Sequence, residues 1–97
     1  MTIEEDLVKD AHVLMHPIRF RIIKLLAQKP MYMKEISKAL EEDRQPISYH
    51  LNVLEEFGFV SSKYEISEAE QSKGKALRVF QVTDKVEKVS SGLRKGL

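Results

Sequence analysis

The 97 residues contain no cysteine, no tryptophan, four glycines and three prolines. Without cysteine the chain forms no disulfide and offers neither a thiolate metal ligand nor a thiol nucleophile. No apolar run approaches the roughly 18–20 residues of a membrane-spanning helix. The opening MTIEEDLVKD lacks the basic-then-apolar layout of a signal peptide, so a cytoplasmic protein is expected. An excess of one charge is also missing: the net charge is +1 at pH 7, and no bulk basic field points to a polyanion. Catalytic signatures are absent too. There is no nucleophile elbow, glycine-rich phosphate loop, HExxH or paired-carboxylate motif, so neither an enzyme nor a cofactor is expected.

What is present is ordinary for one small globular domain: 42% apolar and 32% charged residues, enough to bury a modest core. Charge is mildly segregated, with four acids and one lysine in residues 1–16 but seven basic residues and two acids in 71–97. Ile3, Leu7, Ala11 and Leu14 recur at helical spacing and predict a first amphipathic helix over 3–15. It stops before Pro17, because a residue preceding proline avoids the α region. Pro17 suits the first position of a second helix carrying Ile18, Ile22, Leu25 and Leu26. Met31 and Tyr32 form a short extended or turn-like piece, and Met33, Ile36 and Leu40 mark a brief third helix. A fourth helix is expected to begin at Pro46, capped by Asp43 or Gln45. Beyond Gly58 the period shortens. Residues 59–66 and 77–83 read as two strands of a hairpin, and Val86, Val89 and Leu93 as a last helix capped by Thr83 or Asp84.

The order is therefore helix, helix, helix, helix, strand, strand, helix: an α+β domain, mostly α, in the layout of a winged helix-turn-helix. The helix-turn-helix occupies 33–58 and the wing 59–83. At about 100° per residue, Gln45, Tyr49 and Asn52 point within about 40° of directly away from Ile47, with Ser48 at the edge of that face. Such uncharged hydrogen-bonding side chains, in the first turns of a helix, suit base edges in a major groove about 12 Å wide. Arg44 could reach a phosphate or a guanine. Lys34 on the third helix and Lys73, Lys75 and Arg78 in the wing are candidates for backbone phosphates. Glu55 and Glu56 lie at the far end of the reading helix, where they avoid the phosphates. The apolar stripes Ile3/Leu7/Leu14 and Val86/Val89/Leu93, on helices 3–15 and 84–95, exceed what one core needs and read as a homodimer surface.

Three segments, HPIRFRIIKLL (16–26), MKEISKAL (33–40) and PISYHLNVLEEFGFV (46–60), together resemble the ArsR-type winged helix-turn-helix repressors. Ser48, His50, Leu51, Leu54, Gly58 and Val60 match that family's recognition-helix pattern, with Phe59 in place of the usual Leu. The resemblance implies a homodimer built from the terminal helices, binding double-stranded DNA at a pseudo-palindromic operator. It also raises metal sensing, and there the chain departs from the family. It has no cysteine and no histidine on its last helix. His12 and His16 are spaced like ligands, but Pro17 removes His16 from their common helix, so no metal is expected. The reading from a different class is a winged-helix module that docks a protein partner and never meets DNA.

Overall fold

A computed structural model describes residues 2–68 and 73–96, with side chains for 5–68 and 73–95. Helix α1 spans Thr2–Leu14 and α2 Pro17–Leu26. Between them His16 takes an extended backbone (φ −63°, ψ 130°) and its ring accepts a hydrogen bond from the Ile18 amide. Pro17 thus opens α2 where its missing N–H costs nothing. Helix α3 covers Met33–Leu40, α4 Arg44–Glu56 and α5 Lys85–Gly96. Among the described residues no helix is long and apolar enough to cross a membrane.

The sheet has one strand more than the sequence pattern predicts. Met31–Tyr32 is β1, and it pairs antiparallel with β3 (Ala76–Val82) through Met31↔Phe80 and Tyr32↔Val79. Strand β2 (Val60–Ile66) lies on the other side of β3, so the order is β1-β3-β2. Two residues are too few to show alternation, and a strand this short forms only because β3 supplies its hydrogen bonds.

The start of α4 also differs from expectation. The helix begins at Arg44 with Asp43 as N-cap, two residues before Pro46. Pro46 is the third helical residue, and the first four amides of a helix have no intrahelical partner, so a proline there removes no bond. Between α3 and α4, Glu41 adopts a left-handed backbone (φ 54°). That residue turns the chain sharply enough to pack the two helices together.

The core runs through every element: Ile22, Ile36, Ile47, Leu51, Leu54 and Phe59 are fully buried and Phe80 nearly so. The terminal stripes join this core instead of remaining surplus. Leu14 and Val89 are buried in it, and Leu7, Val86 and Leu93 pack against it. Gly92 is where α1 and α5 meet: a Cβ added there would lie 3.2 Å from Leu7 Cδ1. The side chain of Ile3 lies outside the described residues. Among the described residues, the large apolar side chains exposed in this region are Val8 on α1 and Met15 just past its end.

Candidate nucleic-acid interface

Helix α4 carries the site, and its buried residues define which way it faces. Ile47, His50, Leu51 and Leu54 point into the core. Gln45, Tyr49 and Asn52 are exposed on the opposite side, Arg44 is exposed at the helix's first position, and Ser48 is half-buried at the margin. Tyr49 is 62% exposed, a large cost for an aromatic ring that only had to pack. Among the described residues, no hydrogen bond or ion pair engages the side chains of Arg44, Gln45, Ser48 or Asn52. The first three turns of α4 therefore present a row of unspent donors and acceptors on a rigid element.

The preceding helix holds that row in place. The Arg21 guanidinium donates to the Leu40 carbonyl at 2.9 Å, closing the C-terminus of α3, and lies 3.7 Å from Glu42. The Ser37 hydroxyl donates to the Glu42 carbonyl. At the start of α3 the Glu35 carboxylate accepts the Tyr32 amide at 2.9 Å. Arg21 has no legible role in the sequence, because its partner is a backbone carbonyl nineteen residues away. Lys34 is exposed on α3.

The C-terminal end of α4 is tied to the wing. Gly58 has φ +82°, a conformation that favours glycine. It turns the chain so that the Phe59 amide donates to the Leu54 carbonyl at 2.9 Å. Lys85 holds the same corner from α5. Its ammonium donates to the Phe57 carbonyl at 2.5 Å, lies 3.3 Å from Asp10 and sits 4.7 Å above the Phe59 ring. A cation on the last carbonyls of a helix also complements the helix dipole.

Arg78, a phosphate candidate by its place in the wing, has its guanidinium engaged inside the chain. Its Nε donates to the Ser62 hydroxyl at 2.8 Å, the same hydroxyl donates to Glu55 at 2.6 Å, and Arg78 closes the triangle onto Glu55. Arg78 also lies over the Phe80 ring, 4.9 Å from its centroid. Glu55 consequently faces the wing, and Glu56 alone of that pair is exposed. The triangle joins α4, β2 and β3, so it sets the angle between α4 and the hairpin. Replacing Glu55 with Gln should cost about 0.5–1.5 kcal/mol of stability, because the pair is partly exposed and Gln keeps one acceptor. Urea denaturation measures this; a variant as stable as the parent would mean that the triangle does not hold the wing.

At the hairpin tip, Lys73 and Lys75 are exposed. Gly74 has φ +85° and its amide donates to the Ser67 carbonyl at 3.1 Å. These two lysines, unlike Arg78, have no ion-pair partner among the described residues. The acids Glu65 and Glu68 are exposed on the same hairpin. Among the described residues no three His, Asp or Glu side chains come together in a way that could hold a metal ion.

Residues 16–62 match the model of the bacterial regulatory proteins of the arsR family. A curated relative, the uncharacterized HTH-type transcriptional regulator MJ0229 of Methanocaldococcus jannaschii, is 37% identical over 57 residues. The match covers 59% of this chain and 60% of that protein, so the chain spans less than two thirds of its relative's length. A proposed transcriptional regulator from Thermoplasma acidophilum, TA0346, superimposes with a TM-score of 0.66 at 27% identity, over 80% of this chain and 78% of that one. The homodimeric winged helix-turn-helix DNA-binding domain of Mb0332 from Mycobacterium bovis shares the fold with a TM-score of 0.68. It is 19% identical, over 96% of this chain and 80% of the other.

Proposed function

We propose, because the helix-turn-helix of this chain is that of the arsR family of bacterial regulatory proteins, that it is a sequence-specific, double-stranded DNA-binding regulator acting in the cytoplasm. In this reading α4 enters the major groove by its N-terminal half. Gln45 and Asn52 offer amides to adenine edges, Ser48 a hydroxyl to base or phosphate, Tyr49 a ring to sugar or a thymine methyl, and Arg44 a guanidinium to phosphate or guanine. Lys34, Lys73 and Lys75 neutralise flanking phosphates. The observation that carries the reading is the outward row on α4, largely exposed and unspent among the described residues.

The regulator acts as a homodimer on a pseudo-palindromic site and represses by occupying it. The helix-turn-helix relative from Mycobacterium bovis is described as homodimeric, and Val8 on α1 and Met15 just past its end are exposed apolar side chains. The interface is thus centred on the terminal helices, whose Leu7, Leu14, Val86, Val89 and Leu93 form its supporting layer, with Ile3 the remaining residue of the N-terminal stripe. No metal is needed, since a chain without cysteine lacks the soft ligands that suit an inducer metal.

A gel shift on the DNA upstream of the gene, in excess random duplex and with chelator, tests this. A retarded band that survives chelator, with a shallow salt dependence as the near-neutral charge implies, is the expected result. Failure to shift any genomic fragment would overturn the reading and favour a winged helix that docks a protein.

A further inference from the structure

The underside of α4 carries a feature that base reading does not use. His50 is 7% exposed, and its ring lies against that of His16, with centroids 4.3 Å apart and planes at 41°. His16 is the N-cap of α2, so two imidazoles join the start of one helix to the middle of the reading helix. The His16 Nδ1 accepts the Ile18 amide at 3.2 Å, which a doubly protonated ring cannot do. The His50 Nδ1 and the Arg19 Nε are both buried with no hydrogen-bond partner among the described residues.

The charged surroundings of this pair are of mixed sign. His16 and Arg19, from the α2 side, both oppose a cation at His50; Glu42, in the turn before α4, favours one. Tyr49, its neighbour on α4, meets it edge-on with ring centroids 5.0 Å apart, and among the described residues α1 supplies none of the groups that act on His50. Glu42 is half-exposed and faces Arg21 as well, so it offsets little. Burial first, then His16 and Arg19, hold the His50 imidazole below its ordinary value of 6.5.

We infer that the His16–His50 ring contact is a proton-sensitive positioning device for the reading helix: acid loosens α4 against α2 and lowers discrimination between DNA sequences. This rests on the DNA-binding reading for its second half only. The sign follows from the direction of the His50 shift. Above the ordinary value both folded and unfolded chains hold a neutral ring, and the packing contribution is complete. As pH falls through about 6.5 the unfolded chain binds the proton first, and stability declines until the folded ring also protonates. Added positive charge would by itself strengthen non-specific binding. The quantity to follow is therefore the ratio of specific to scrambled-duplex affinity.

The test combines NMR titration of the histidine ring protons and α4 amides in the full chain with binding at pH 7.5 and 5.5. The binding duplexes are a site selected from genomic fragments and its scrambled form. His16→Asn removes the second imidazole while keeping an acceptor for the Ile18 amide. The His50 midpoint should lie below 6.5, with α4 amides moving at the same midpoint. The affinity ratio should fall by more than about twofold at pH 5.5. His16→Asn should raise the His50 midpoint and reduce the fall to less than about twofold. An ordinary His50 midpoint, α4 amides that do not follow it, or an undiminished fall in His16→Asn would each overturn the device. If no duplex is bound selectively at either pH, the DNA reading fails. The positioning of α4 is then judged by its amides alone, which must track His50 for it to stand.

Discussion

Replacing Phe59 with alanine is expected to lower the free energy of unfolding by about 3–5 kcal/mol. Phe59 is fully buried and stands where α4, the wing and α5 converge. Its backbone bonds, donating to Leu54 and accepting the Thr83 amide at 3.0 Å, survive in the variant. The loss is therefore the ring itself: its transfer from water, the cavity it leaves, and the Lys85 ammonium above it. Small domains have about 5–15 kcal/mol in total, so this one substitution removes a large fraction. A urea midpoint displaced at unchanged slope would report it. Phe57, 39% exposed two residues earlier, is the control and should lose less than about 1 kcal/mol. Equal, small losses at both positions would mean that the corner after Gly58 has been misassigned.

Truncating the reading face should separate binding from folding. Asn52→Ala and Tyr49→Ala are each expected to weaken binding to a selected duplex by about 1–3 kcal/mol, roughly 5- to 150-fold. Affinity for random duplex should scarcely change, because neither side chain carries charge. Asn52→Ala should leave unfolding within about 0.5 kcal/mol of the parent, since the residue is exposed and has no partner among the described residues. Tyr49 needs a second variant, because its ring edge covers part of His50. Tyr49→Phe keeps that cover and removes only the hydroxyl, so binding retained in Phe and lost in Ala assigns the contact to the ring. Fluorescence anisotropy with both duplexes measures all three. Uniform weakening on both DNAs would point to damaged folding or lost charge instead of lost base reading.

These predictions draw on different layers of the molecule, and the layers were not equally visible in the chain. Helix α3 matches its apolar spacing from Met33 to Leu40, and the faces of α4 follow from the positions of Ile47, Leu51 and Leu54. Pro17 marks the start of α2 and Gly58 the turn after α4, each through its own backbone sterics. Pro46 misleads for an equally local reason: the first helical position and the third both tolerate a missing amide, so proline alone does not distinguish them.

The remainder depends on residues far apart in the chain. Arg78 reads as a wing cation until Glu55, 23 positions earlier, is found beside it. Lys85 reads as surface until the Phe57 carbonyl, Asp10 and the Phe59 ring gather around it. The terminal stripes read as surplus until α1 and α5 close on each other at Gly92.

By itself the sequence determined the helices, the hairpin, the winged helix-turn-helix order and the outward row Gln45, Tyr49 and Asn52. Periodicity and backbone sterics act within three or four residues, and an alternation of apolar and polar positions already encodes a face. Only the tertiary structure decided the third strand, the partners of Arg78 and Lys85 and the packing of His16 against His50. Each is a meeting of groups whose sequence neighbours carry no sign of it, and each exists because folding brings distant side chains within a few ångströms.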